Sequence, residues 1–230
     1  MIGGNGAMTE AHRAADCVFD LDGGRTCLDF ANTLDSSGDH LGSYADLVAF
    51  SAQSKLLTRD DADWLRDEGL RDRVSAEAVM VRARGLRSVI YAIFSAVAAG
   101  KATRERDVGH LNLELAATLP HARVFPSGSS DRYYWGWAGS TPDAPLWGVI
   151  RSAADLLTSE EDMRRVRECN GVECQWLFLD TSKNHTRQWC SMQSCGNRQK
   201  ARRHYQRSRD RQKSRPLSTG EEAADGPRGV

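Results

Sequence analysis

Several features are missing from this sequence, and each absence excludes a class of protein. No run of about eighteen apolar residues occurs, so no helix is expected to span a bilayer. Residues 1–16 contain no apolar segment, which predicts a flexible leader and not a secretory signal or an anchor. The chain also contains no P-loop, no GxGxxG after a strand, no HExxH and no GxSxG, so we expect no enzymatic activity. These absences favour a cytoplasmic binding protein without a membrane partner.

A net charge is missing as well, because 31 Lys+Arg balance 31 Asp+Glu. This balance hides a strong asymmetry along the chain. Through residue 162 there are 16 basic and 24 acidic residues, a net charge of −8, whereas residues 163–215 contain 14 against 4, a net charge of +10. An acidic body that carries a strongly basic segment predicts a polyanionic partner for that segment.

The six cysteines are unevenly placed, and the last four form a regular pattern. Their spacing is C-x4-C, fifteen residues, C-x4-C, and they are Cys169, Cys174, Cys190 and Cys195. Two close pairs joined by a spacer that is long enough for a hairpin are typical of one structural Zn²⁺ ion held by four thiolates. Two disulfides are the alternative, which the missing export signal disfavours. Cys17 and Cys27 lie in apolar, strand-like stretches and are expected to be small buried hydrophobes.

The hydrophobic pattern predicts an α+β domain over residues 17–160. Its first element is a β-hairpin whose strands flank Asp22-Gly23-Gly24. Helices are predicted after Ser43 and Thr58, and a long core helix is predicted to end at Gly100. Further helices are predicted over 104–119 and 145–157, and one strand pair is predicted over 121–126 and 131–139. The last segment, 212–230, is rich in Pro, Gly and Glu and is expected to be disordered.

Residues 161–211 are predicted to form a small treble-clef-like or ribbon-like zinc finger that ends in a basic helix. Strands are expected over 175–180 and 186–190, followed by a helix from Ser191 to about Arg209. Gly196 is expected to permit a close approach to the metal knuckle. A helix this basic is suited to DNA and has the right width for a major groove. The candidate DNA contacts are Lys183, Asn184, Arg187, Asn197, Arg198, Lys200, Arg202, Arg203, His204, Arg207 and Arg209. Asn197 and Arg198 have a second interpretation, in which they brace the zinc knuckle.

Several short motifs of this segment stand in the order of a known family. The tetrapeptide Cys195-Gly196-Asn197-Arg198, with WLFLDTSKN and WCSM before it and RRHY after it, resembles the CGNR zinc finger. The GGRTCLDFANT stretch resembles the start of the ABATE domain, which usually precedes this finger. The family is regarded as a group of bacterial transcription regulators, some of them stress-related. This resemblance implies binding of double-stranded DNA through the finger.

The aromatic residues of the first domain suggest two roles. Tyr133, Trp135, Trp137 and Trp147 are a candidate pocket for a small-molecule effector, which would make this domain a sensor. The alternative is that these side chains pack in the core, in the sheet or at a homodimer face. For the chain as a whole, the alternative to DNA binding is a zinc module that contacts a protein or RNA.

Overall fold

The structure is a computed structural model, and it describes residues 18–128 and 132–213. The predicted leader, Cys17 and the predicted tail from residue 214 onward lie outside the described residues. The helices are α1 (Thr26–Ala31), α2 (Tyr44–Gln53), α3 (Arg59–Arg71), α4 (Arg73–Ala98), α5 (Glu105–Thr118), α6 (Ala144–Thr158), α7 (Glu160–Met163) and α8 (Asn197–Lys213). Three separate antiparallel pairs are formed by β1 (Leu34–Asp35) with β2 (Gly38–Asp39), β3 (Ala122–Pro126) with β4 (Tyr133–Trp137), and β5 (Val166–Glu168) with β6 (Leu177–Leu179). The predicted α+β class is therefore confirmed.

Local sequence signals place the ends of several helices correctly. Ser43 caps α2 in a complete capping box with Asp46, and the Thr58 hydroxyl accepts a hydrogen bond from the Asp61 N–H at the start of α3. Gly100, with φ of 65°, follows the end of α4 and adopts the left-handed backbone that favours glycine. None of the helices within 18–128 and 132–213 is long and apolar enough to cross a membrane.

The predicted N-terminal hairpin is wrong, because the chain after the Asp22-Gly23-Gly24 turn forms α1. All apolar side chains of this short helix are buried, since Cys27, Leu28 and Phe30 are each 0% exposed. A short run that is buried on every side shows neither the two-residue nor the 3.6-residue period, so the sequence alone does not distinguish a strand from a helix here. The predicted burial of Cys27 is confirmed, and burial raises the pKa of its thiol to about 12.

A buried carboxyl group in α1 connects the turn to the helix. Asp29 is 8% exposed, and its Oδ1 accepts a hydrogen bond of 2.7 Å from the Gly23 N–H. Burial raises the pKa of this carboxyl from 3.8 to about 6, although the Gly23 bond partly opposes the rise. The folded chain therefore holds this proton more tightly than the unfolded chain does.

This shift predicts a pH-dependent effect of the variant Asp29→Asn. The raised pKa means that the wild-type chain loses stability as the pH rises through about 4 to 6, because ionised Asp29 is disfavoured in the fold. The asparagine keeps an acceptor for the Gly23 N–H and does not ionise. We expect it to raise the free energy of unfolding by about 3 kcal/mol at pH 8 and by about half as much at pH 5. Denaturant unfolding at both pH values measures this, and an equal gain at both would contradict it.

The core joins the predicted first domain to the predicted finger. Helix α1 packs against α4 and α6 at the centre of the main cluster of buried residues. Val166 of β5 and Leu177 and Leu179 of β6 belong to this same cluster. The first strand pair of the finger is thus built on the body, although the sequence separates the two at residue 160.

The side chain of Asn32 holds this junction together. Its Nδ2 donates to the Leu177 carbonyl at 2.9 Å, and its Oδ1 accepts from the Leu177 N–H at 2.8 Å. Asn32 is 3% exposed and Leu177 is 0% exposed, so neither backbone group of Leu177 has access to water. The amide side chain therefore takes the place of a neighbouring strand.

We expect Asn32→Ala to weaken the attachment of the finger to the body. The substitution leaves the N–H and carbonyl of Leu177 buried and unpaired, which should lower the free energy of unfolding by about 2–4 kcal/mol. The matched control is Asn112→Ala at an exposed position of α5, where no such loss is expected. Thermal unfolding, followed through both far-UV circular dichroism and zinc release, measures the effect. Equal melting temperatures of the two variants would show that the Asn32 amide does not hold the junction.

Candidate metal centre and nucleic-acid interface

The four cysteines of the C-x4-C pairs are brought together by a hairpin and a helix start. Cys169 follows β5 and Cys174 precedes β6, so the first pair lies in the loop between these strands. Cys195 lies in the single π-helical turn Met192–Gly196 that leads directly into α8, and Cys190 stands just before this turn. The metal centre thus sits at the N-terminus of the basic helix, whose positive dipole end is favourable beside thiolates.

The predicted strand pairing within the finger is wrong. Strand β6 pairs with β5, in the register Val166↔Leu179, and residues 186–190 form no strand. The segment that was expected to be a strand is held instead by the buried carboxylate of Asp180. This carboxylate accepts hydrogen bonds from the N–H groups of Ser182 and Arg187, both 3.0 Å long. Burial tends to raise the pKa of Asp180, but a hydrogen bond from the Ser182 hydroxyl, together with these two, holds it below its usual value.

The cluster fits a tetrahedral Zn²⁺ site. The four sulfur atoms lie within 4.8 Å of one another. Cys190 Sγ is 3.6 Å from Cys174 Sγ and 3.7 Å from Cys195 Sγ. A tetrahedron with Zn–S bonds of about 2.3 Å has edges of about 3.8 Å. The four-thiolate set closes the coordination sphere and leaves no position for a substrate water, so the ion is structural. The cluster therefore binds one zinc ion through Cys169, Cys174, Cys190 and Cys195.

The chain around the cluster favours the ionised form of Cys169. Cys169 Sγ accepts hydrogen bonds of 3.3 Å from the N–H groups of Gly171 and Cys190. Hydrogen bonds from the Cys174 and Cys190 thiols lower the pKa of Cys169, and the donation to Cys169 raises the pKa of both donors. Because zinc is bound by thiolates, zinc binding and proton release are coupled at this site.

Two glycines allow the close packing of this centre. A Cβ on Gly171 would lie 3.0 Å from Cys195 Sγ and 3.3 Å from Cys169 Sγ, so no side chain fits there without moving a ligand. A Cβ on Gly196 would instead meet Met192 Sδ at 2.8 Å and Trp189 Cδ1 at 3.0 Å. Gly196 was predicted to permit a close approach to the metal knuckle. In the structure Gly171 makes the close approach to the ligands, and Gly196 packs against neighbouring side chains.

Arg187 lies inside the finger, although it was predicted to contact DNA. Its guanidinium lies over the Phe178 ring at 4.6 Å, its Nε donates to the Trp189 carbonyl at 2.8 Å, and an NH2 donates to the Cys190 carbonyl. These contacts engage the charged group with the loop that carries the second cysteine pair. These contacts indicate that Arg187 braces the metal centre, and its contact with DNA stays a prediction.

The other predicted DNA contacts are exposed. Lys183 and Asn184 lie at the turn after Asp180. Within the described part of the chain, none of the six Lys and Arg side chains between 198 and 209 takes part in an ion pair. The exposed candidates on α8 are Asn197, Arg198, Lys200, Arg202, Arg203, His204, Arg207 and Arg209. Asn197 Nδ2 donates to the Gln193 carbonyl at 3.2 Å, which favours a bracing role for this residue.

The predicted aromatic pocket is formed only in part. Trp135, Trp137 and Trp147 line a cleft of about 780 Å³ between the β3–β4 arm and helices α3 and α6. Trp147 is 1% exposed and stacks on His121 at 4.1 Å, so it is mainly a core residue. Tyr133 does not line the cleft, because it pairs with Pro126 at the far end of the arm and is 71% exposed.

Sequence reasoning missed the residues that support the site from a distance. Asn32 and Asp180 act through hydrogen bonds to backbone groups. Both lie in stretches that resemble the family, GGRTCLDFANT and WLFLDTSKN, but the resemblance assigned no role to either residue. A short polar side chain next to an apolar run is equally typical of turns.

Comparison with known families agrees with this geometry. Residues 165–208 match the CGNR zinc finger, and residues 24–160, more than half of the chain, match the family described as "Putative stress-induced transcription regulator", ABATE. A search of curated proteins found no match. The zinc-finger match contains all four clustered cysteines, and the ABATE match spans α1 to the start of α7. The chain therefore belongs to the ABATE family and carries a C-terminal CGNR zinc finger.

Proposed function

We propose that this protein is a zinc-dependent, sequence-specific regulator of transcription in the cytoplasm that binds double-stranded DNA with α8. One observation carries the proposal: α8 begins directly at a four-thiolate metal centre and exposes six Lys and Arg side chains that form no ion pair with any described residue. Such a helix repels itself unless a polyanion neutralises it, and the zinc ion fixes its first turn.

The dimensions of α8 suit a major groove. Its 17 residues correspond to a rod about 25 Å long, and an α-helix with its side chains is about 10–12 Å wide. The major groove of B-DNA is about 12 Å wide. The helix can therefore lie along base edges over roughly two-thirds of a helical turn, at about 34 Å per turn.

The basic side chains of α8 fall into two groups around the helix. Helical spacing places Arg198, Arg202 and Arg209 on one face and Lys200, Arg203 and Arg207 on another. A helix in a groove has one face on the bases and its flanks on the phosphates, so at most one of the two groups lies on the base edges. Lys183 and Asn184 at the exposed turn of the finger, and His204 on α8, supply further phosphate contacts.

A salt-dependent binding titration tests the proposal. The zinc-loaded full chain is titrated with duplex fragments of genomic DNA at several salt concentrations. Affinity should fall steeply, with a slope of about −0.9 in log K against log[salt] for each phosphate contacted. Competition by single-stranded RNA that exceeds competition by duplex DNA would favour RNA as the ligand. Binding partners that survive nuclease treatment would favour a protein contact.

For the body we propose sensing of a small molecule, supported by the aromatic cleft. A volume of about 780 Å³ suits a drug-sized ligand. The Arg151 guanidinium, which also lines the cleft, lies over the Trp135 ring, 4.3 Å from the ring centroid. We also propose that the body forms a homodimer, since one finger alone buries only about 600–1,000 Å² of protein surface when it binds DNA. Sedimentation analysis of the free chain tests the dimer. A screen of aromatic metabolites by thermal shift, with Trp135→Ala as the control, tests the cleft.

A further inference from the structure

We propose that Cys174 is an oxidation site, at which a peroxide opens the zinc centre by forming a disulfide with Cys190. The four ligands differ in their access to solvent. Cys169, Cys190 and Cys195 are buried, with 6%, 2% and 6% of their surface exposed, whereas Cys174 is only partly buried. A zinc site whose ligands are unequally shielded reacts first at the sulfur that a small oxidant can reach.

A cleft reaches Cys174. Between the body and the finger lies a cavity of about 560 Å³ that is lined by Cys174 together with Ser88 and Tyr91 of α4. Its other walls come from Arg87 of α4, from the segment 31–36 and from the two neighbours of Cys174. A peroxide molecule is much smaller than this cavity, so it reaches Cys174 without any movement of the chain.

The loop that carries Cys174 is held in an unfavourable backbone conformation. Glu173 and Gln175, on either side of the cysteine, have φ of 66° and 53°, in the left-handed region that residues other than glycine rarely occupy. Each such residue costs on the order of 1 kcal/mol, and the metal ligand between them keeps the loop in place. Loss of ligation at Cys174 releases this strain and favours an open loop.

A partner for a disulfide is already in place. Cys190 Sγ lies 3.6 Å from Cys174 Sγ, whereas Cys169 Sγ is occupied by two N–H donors. The Cys174 thiolate attacks one oxygen of the peroxide, so that an S–O bond forms, the O–O bond breaks and hydroxide leaves. The Cys190 thiolate then attacks the sulfenic sulfur, so that the S–S bond forms and a second hydroxide leaves. Two electrons pass to the peroxide, and the site loses two of its four thiolates.

The consequence for α8 follows from the position of the second cysteine pair. Cys190 and Cys195 fix the turn from which α8 begins, so a site with only two remaining thiolates no longer holds this turn. If the proposed function is correct, oxidation also releases the protein from DNA. The oxidation itself does not depend on DNA binding and is measured separately.

The first test follows zinc and disulfides in the zinc-loaded full chain. This chain carries Cys17→Ser, so that Cys17 takes no part in the reaction, and buried Cys27 serves as an internal control. Hydrogen peroxide should release one zinc ion for each Cys174–Cys190 disulfide found by non-reducing peptide mapping. Thiol reductant with added zinc should restore the site. Full retention of zinc at millimolar peroxide would overturn the proposal, as would a first modification at Cys169 or Cys195.

A second test examines the cleft without changing any ligand. Ser88→Met places a larger side chain at the wall of the cavity, and Ala78→Met places the same side chain on an exposed part of α4 outside it. Ser88→Met should slow zinc release by at least about threefold, and Ala78→Met should leave the rate unchanged. Equal rates in both variants would show that the oxidant does not enter through this cleft. A DNA-binding assay on the oxidised chain then tests the proposed function alone.

Discussion

Replacement of Cys195 by serine is expected to remove zinc from the finger and to unfold the start of α8. Cys195 is 6% exposed and its Sγ lies 3.7 Å from Cys190 Sγ, within the cluster of four sulfur atoms that the described residues form. Structural zinc supplies about 10–16 kcal/mol of apparent binding free energy, and this energy holds the finger folded. A three-thiolate remnant loses most of it, because serine is a poor zinc ligand at neutral pH.

Zinc content and helicity measure this prediction. The zinc content of the purified variant should fall well below one ion per chain, and the far-UV signal should lose the contribution of α8. The matched control is Cys27→Ala, a buried cysteine outside the metal centre. It should lose stability through the cavity that it creates while it keeps its zinc. A Cys195→Ser chain that binds zinc as the wild type does would refute the four-thiolate site.

The second large effect is expected from the double variant Arg202→Ala/Arg203→Ala. Both side chains are exposed on α8, and neither takes part in an ion pair within the described part of the chain. Their removal should weaken duplex DNA binding by about 10- to 100-fold at moderate salt. The slope of log K against log[salt] should fall by about two units if both contact phosphates. The fold should not change, since neither residue packs in the core.

The control separates a local effect from a change in total charge. Arg59→Ala/Arg104→Ala removes two exposed arginines from the body and should leave affinity almost unchanged. A third variant, Arg202→Lys/Arg203→Lys, keeps the charge but not the two-pronged guanidinium. It should preserve the salt slope and lose sequence preference if either arginine reads a guanine. Equal losses in the body and α8 variants would contradict binding through α8.

Local chemistry was sufficient to predict the metal centre, because the C-x4-C pairs limit where four sulfur atoms can converge. The capped helices were predictable for the same reason, since Ser43 and Thr58 act on atoms within three residues. The strand pairing of the finger was not predictable. The strand that pairs with β6 is β5, which lies before the first cysteine pair. The three residues of β5 carry no alternating pattern.

The role of Arg187 shows the same limit for the site. From its sequence context, Arg187 is indistinguishable from Arg202, yet its guanidinium donates to three backbone carbonyls and lies over the Phe178 ring. Only the folded loop brings these acceptors together. The exposure of a charged side chain is decided by what packs around it, which sequence spacing does not report.

The amino-acid sequence by itself determined the zinc ligands, the basic helix that follows them and the caps of the body helices. Each of these depends on residue types at short, regular separations. The tertiary structure alone decided that Thr26–Ala31 is a helix, that Asn32 joins the finger to the body, and that Cys174 faces a cleft. These features arise from contacts between residues far apart in the chain, whose free energy depends on burial and packing in the completed fold.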